Sequence, residues 1–148
     1  MNRGPWIALA TMLLLTACQT APGPQPLPET AAPRALQGSS WRLVQLNFSD
    51  GTQRAAIERS RYTIGFGAEG VLNVRFDCNR GRGSWTSAGP GQLQFGELAL
   101  TRALCPTGSL YDDLVRQWPY VRAYLFKGGR LFLTLMADGG SIEFEPSP

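Results

Sequence analysis

From position 36 onward, the apolar residues of this 148-residue chain fall into short runs that alternate with polar ones. The runs are cut every few residues by Gly, Ser, Asn or Asp-Gly. Alternation with period two puts every second side chain on one face of an extended strand, so the chain is held to sheets with one buried face. The run 41–48 ends before Asp50-Gly51. Tyr62, Ile64 and Phe66 end at Gly67, and Leu72, Val74 and Phe76 alternate with Asn73, Arg75 and Asp77. Continuing that count puts Cys78 on the inward face, at the buried end of its strand. Shorter strands are expected around 84–86, 92–95 and 97–100. Then come 120–126, a Gly128-Gly129 hairpin turn, 131–136, an Asp138-Gly139-Gly140 turn, and 141–144. One segment changes period. Ser109-Leu110-Tyr111-Asp112 has the form of a capping box, Leu110, Leu114 and Trp118 recur every four residues, and Pro119 stops the pattern, which predicts one short helix. With 17 glycines and 11 prolines, long helices have little room, and the chain reads as mainly β.

Composition removes several function classes. The chain contains no histidine, and with it go the commonest general base, the imidazole metal ligand and every histidine-based triad. The net charge is only +3, and the 13 arginines and single lysine form no basic run, which argues against a dedicated nucleic-acid binder. Asp112 and Asp113 are adjacent, but helix neighbours point about 100° apart, and negative charge in a first turn offsets the helix dipole. Gly81-Arg82-Gly83 lacks the strand-loop-helix setting of a phosphate loop. No catalytic residue, metal site or cofactor is expected.

The amino terminus reads as a targeting segment. Arg3 precedes an apolar stretch, Trp6 to Leu15, which is short for a permanent span, and Leu15-Thr16-Ala17-Cys18 has the form of a bacterial lipobox. Residues 1–17 are then a lipoprotein signal peptide, and Cys18 takes diacylglycerol and acyl chains such as palmitate, which anchor the protein to the membrane. Gln19 follows the cysteine in place of the aspartate of inner-membrane retention, which favours the outer membrane on its periplasmic side. Residues 18–35 hold the lipidated cysteine and a proline-rich spacer able to reach ~45 Å in polyproline conformation. The folded domain is expected over 36–148.

Within that domain, Asp77-Cys78-Asn79-Arg80 is followed by Gly81 and Gly83-Ser84-Trp85, and Thr101-Arg102-Ala103-Leu104-Cys105-Pro106 stands some twenty residues on. These motifs, with a short helix and a terminal hairpin after them, resemble the META (HslJ-like) domain family over about residue 36 to the end. The resemblance implies a small antiparallel β-barrel or roll with one short helix, an association with envelope stress tolerance, and no established catalysis. Arg82 and the arginine-rich span 55–61 depart from the pattern.

After lipidation of Cys18, Cys78 and Cys105 are the cysteines left to form an intramolecular disulfide in an oxidising compartment, and two separate buried thiols are the alternative. Asn79 is explained by a turn. Alternatively Asn79, Arg80, Arg82 and Arg102 form a polar patch able to grip a carboxylate or a sugar, against the plainer reading of solvated arginines. The expected role is a non-catalytic stress-tolerance or binding module that meets an envelope protein, polymer or small ligand. A periplasmic enzyme inhibitor is the alternative.

Overall fold

The computed structural model describes Met1 and residues 36–148. The expected signal sequence, Cys18 and the proline-rich spacer lie outside the described residues. Among those described, ten strands and one α-helix run in the order β1 Ser40–Phe48, β2 Gln53–Ala55, β3 Tyr62–Phe66, β4 Val71–Phe76, β5 Asn79–Thr86, β6 Gln94–Phe95, β7 Ala99–Leu100, α1 Tyr111–Gln117, β8 Val121–Lys127, β9 Arg130–Leu135 and β10 Gly140–Pro146. The sheet is antiparallel, in the order β6-β5-β4-β3-β1-β10-β9-β8, with β2 added to β1 and β7 to β5. Its two ends meet. Leu93 N–H donates to the Arg122 carbonyl at 3.1 Å and Tyr124 N–H to that of Gly91 at 2.9 Å, so the sheet becomes a nearly closed barrel.

The barrel interior follows the alternation of the sequence. Tyr62, Ile64 and Phe66 face inward with Leu72, Val74 and Phe76, and with Leu131, Leu133 and Leu135 from the other side. In β1 the alternation shifts at a bulge between Leu43 and Gln45, which leaves both Leu43 and Val44 buried. The helix brings Leu114 and, with its flanks, Leu110 and Trp118 onto this core, and the Tyr62 hydroxyl accepts a hydrogen bond from Leu110 N–H at 3.0 Å. Each such side chain contributes about 2 kcal/mol on burial. A half-exposed ion pair such as Arg42–Glu145, at 2.6 Å, is worth under ~1 kcal/mol, so the interior carries the fold.

Four local expectations change. Cys78 is half-buried and sits with Asp77 in the two-residue turn between β4 and β5, not on the inward face of a strand. The turn resets the period, and Asp77 and Asn79 take the buried positions on either side of Cys78. Next, β5 begins at Asn79, five residues before the expected strand, and Asn79 is therefore its first residue and not a turn residue. The capping box does not form: the helix starts at Tyr111, whose N–H is accepted by the Ser109 hydroxyl at 3.1 Å, and the cap position, Leu110, makes no side-chain bond. Finally, Asp113 does more than offset the helix dipole, because it pairs with Arg54 of β2 and ties that edge strand to the helix. Strand β2 itself, Gln-Arg-Ala, has no apolar alternation by which it could be read from sequence.

Candidate functional site

The two sequence motifs meet at the start of β5. Asp77 takes a φ of 58°, a left-handed conformation that aspartate tolerates, and the turn it makes swings Asn79 inward to complete burial. The Asn79 amide then holds the second motif from behind. Its Nδ2 donates to the Ala103 carbonyl at 2.9 Å, and its Oδ1 accepts from Ala103 N–H at 2.7 Å and from the Thr101 hydroxyl at 2.9 Å. Thr101 Oγ1 in turn accepts from Arg80 N–H at 3.0 Å. Beside this clasp Cys78 and Cys105 are joined as a disulfide, with Cα atoms 5.5 Å apart and both sulfurs 3.4 Å from Asn79 Nδ2.

Glycine makes room for the strap that follows. A Cβ on Gly81 would stand 2.5 Å from the Ala99 carbonyl oxygen, and one on Gly83 2.8 Å from that of Glu97. Only glycine lets residues 97–100 lie directly across β5.

Asn79 therefore cannot join the expected binding patch, because it is fully buried and its hydrogen bonds are spent on the chain itself. Arg80, Arg82 and Arg102 are exposed. Arg80 lies opposite Arg75 in the β4–β5 ladder, and Arg82 Nε donates to Asn73 Oδ1 at 3.2 Å. Elsewhere most arginines of the described residues have acidic partners: Arg42 and Arg59 share Glu145, Arg61 lies against Asp77 and Glu58, Arg54 and Arg116 meet Asp113, and Arg130 meets Glu143. Arg61 abuts Asp77 Oδ1 as an ion pair without hydrogen-bond alignment. Among the described residues no carboxylate pairs with Arg75, Arg80, Arg82 or Arg102, which leaves a basic strip around the β4–β5 hairpin. No group of three or more potential metal ligands occurs among them either.

A second feature involves aromatic residues whose spacing in the sequence fits core packing first and a ligand groove second. Phe95, Leu98, Leu100, Val115 and Trp118 line an apolar groove of about 520 Å³ between α1 and the strap, with Arg122 and Glu97 also on its walls. Phe95 stacks on Trp118 with ring centres 4.3 Å apart. The Trp41 and Trp85 indoles donate to Ser39 Oγ at 2.7 Å and to the Val71 carbonyl at 3.1 Å, whereas the buried Trp118 Nε1–H has no partner among the described residues. Arg122 is held in place by the Pro119 and Val121 carbonyls, both at 2.7 Å. Periodicity could not separate groove from core, because Trp118 belongs to both.

With this geometry in view, comparison with known proteins gives one family. Residues 34–148 match the META domain. The chain belongs to the META domain family. The barrel with one short helix is the fold that its motifs predict. A protein from Burkholderia xenovorans solved by NMR is similar to this META domain protein at 24% identity, with a TM-score of 0.64 over 87% of this chain and 94% of the other. A crystal structure of a DUF4847 family protein from Bacteroides vulgatus is similar at 12% identity, with a TM-score of 0.54 over 73% and 92% of the two chains. A further NMR structure is similar at 20% identity and a TM-score of 0.54, over 76% and 92%. At these identities the likeness is one of fold. No curated protein matches the chain.

Proposed function

We propose that this META domain protein is a non-catalytic binding module of the bacterial envelope, lipid-anchored through Cys18 to the outer membrane, facing the periplasm and serving stress tolerance. The groove beside Trp118 carries the binding part of this reading. An apolar cleft with a fixed guanidinium on its wall suits a ligand with an apolar body and an anionic group. The lipobox sequence supports the anchor. The amphipathic anion 8-anilinonaphthalene-1-sulfonate should fluoresce on binding the native protein. Leu98→Glu, on the half-buried groove wall, should weaken that binding about tenfold while costing about 1 kcal/mol of stability, which leaves the domain folded. Undiminished binding by the variant would remove the groove from the proposal.

The anchor is tested separately. Cys18→Ala should abolish incorporation of labelled fatty acid in cells, because the thiol is the acceptor; labelling equal to the parent's would overturn lipidation.

A second reading, the enzyme inhibitor, is favoured by a different observation. Leu104 is 99% exposed on a segment fastened by Asn79 and the disulfide, next to arginines that have no acidic partner. A large apolar side chain held out from a fastened backbone is an anchor residue without a pocket.

A further inference from the structure

The segment Thr101 to Pro106 belongs to no helix, strand or turn, yet it is fastened at every second residue. Thr101 N–H donates to the Arg80 carbonyl at 2.9 Å, Ala103 is held at both N–H and C=O by the Asn79 amide, and Cys105 is tied to Cys78. Between these points Arg102 and Leu104 are exposed, and among the described residues their backbone N–H and C=O groups bond to nothing. The alternation is that of a strand with one edge pinned to its own protein and the other edge open.

Endopeptidases bind substrates in this form. The peptide lies extended in the cleft, the residue at the cut bond drops its side chain into the primary pocket, and that residue and the one two before it pair antiparallel with the enzyme backbone. The open groups here have that spacing, with Leu104 as the pocket residue and Arg102 two before it. Asn79 acts from behind as a positioning residue, fixing the residue between them. Ordering such a segment in advance removes the entropy cost of binding, and the disulfide at the next residue keeps the two ends together if the bond is cut.

We propose that residues 101–106 form a substrate-like loop that occupies and blocks the active-site cleft of a serine endopeptidase with an apolar primary pocket, Leu104 filling that pocket. The proposal rests on the inhibitor reading and names its partner class and contact residue.

The test uses the full disulfide-bonded chain against chymotrypsin and subtilisin, whose primary pockets are apolar, and trypsin, whose pocket is acidic. Cleavage of small chromogenic substrates and the integrity of the 104–105 bond by mass spectrometry are the readouts. Chymotrypsin and subtilisin should be inhibited at micromolar or lower concentration, with the bond largely intact after hours, and trypsin much less. Leu104→Asp should weaken inhibition at least a hundredfold, and Leu104→Arg should transfer it to trypsin; full exposure of Leu104 means both variants keep the fold. Asn79→Ala should turn the inhibitor into a substrate, with cutting after Leu104 accelerated at least tenfold. Rapid cutting of the parent chain, or inhibition that Leu104→Asp leaves unchanged, would overturn the loop assignment, the second result leaving the inhibitor reading in place. If no endopeptidase is inhibited, the loop proposal fails. Lysozyme, a glycosidase with an acidic cleft, then decides the broader reading: inhibition by the parent but not by Arg80→Glu/Arg82→Glu retains it, and none removes it.

Discussion

Asn79→Ala is expected to destabilise the domain by about 3 kcal/mol, a large part of the 5–15 kcal/mol by which such domains are stable. The substitution removes three conventional hydrogen bonds and two weaker contacts to sulfur. Each neutral bond is worth about 1 kcal/mol net, and a cavity is left at a fully buried position. Water recovers part of this at Thr101 and Ala103, which are exposed, and keeps the figure from rising higher. Denaturant unfolding should show the midpoint falling with its slope unchanged. A loss below ~1 kcal/mol would mean that the 101–105 segment holds its place without the clasp.

Reduction of the Cys78–Cys105 bond should produce a loss of similar size. The cysteines are 27 residues apart, and closing a loop of that length removes about 3.5 kcal/mol of unfolded-state entropy, which is the ceiling for the effect. Cys78→Ala and Cys105→Ala should each reproduce most of it, and the pair together little more, since one bond is broken in every case. Because the sulfurs touch Asn79 Nδ2, adding Asn79→Ala to the cysteine variants should cost less than the sum of the separate losses. Strict additivity, or a midpoint indifferent to reductant, would show that the bond does not brace this corner of the barrel.

Much of the barrel is legible in the residues themselves. Strands β3, β4 and β9 alternate clearly, because each has one face on a core and one toward solvent. The first half of β5 is not. Asn-Arg-Gly-Arg-Gly reads as turn chemistry, yet its glycines are there because another segment crosses them, a tertiary cause that no local pattern carries. Asn79 was misread for the same reason: Asn in sequence suggests a turn, and only the arrival of Thr101 and Ala103 makes it a buried clasp. The groove was hidden by its own composition, since aromatic and aliphatic walls look like core until one knows which contacts are missing.

The pairing of β1 with β10 sets the timing of folding. The first strand meets the last along almost its whole length, from Trp41 opposite Pro146 to Phe48 opposite Gly140. A chain delivered amino end first can form the β3–β5 meander early, but it cannot close the barrel until Gly140–Pro146 arrives, and so long a separation puts this topology at the slow end for its size. A chain cut short before Gly140 leaves both β1 and β9 with an unpaired edge, each rich in the residues that join sheets between molecules. Loss of β10 thus converts two paired strands into two sites for aggregation.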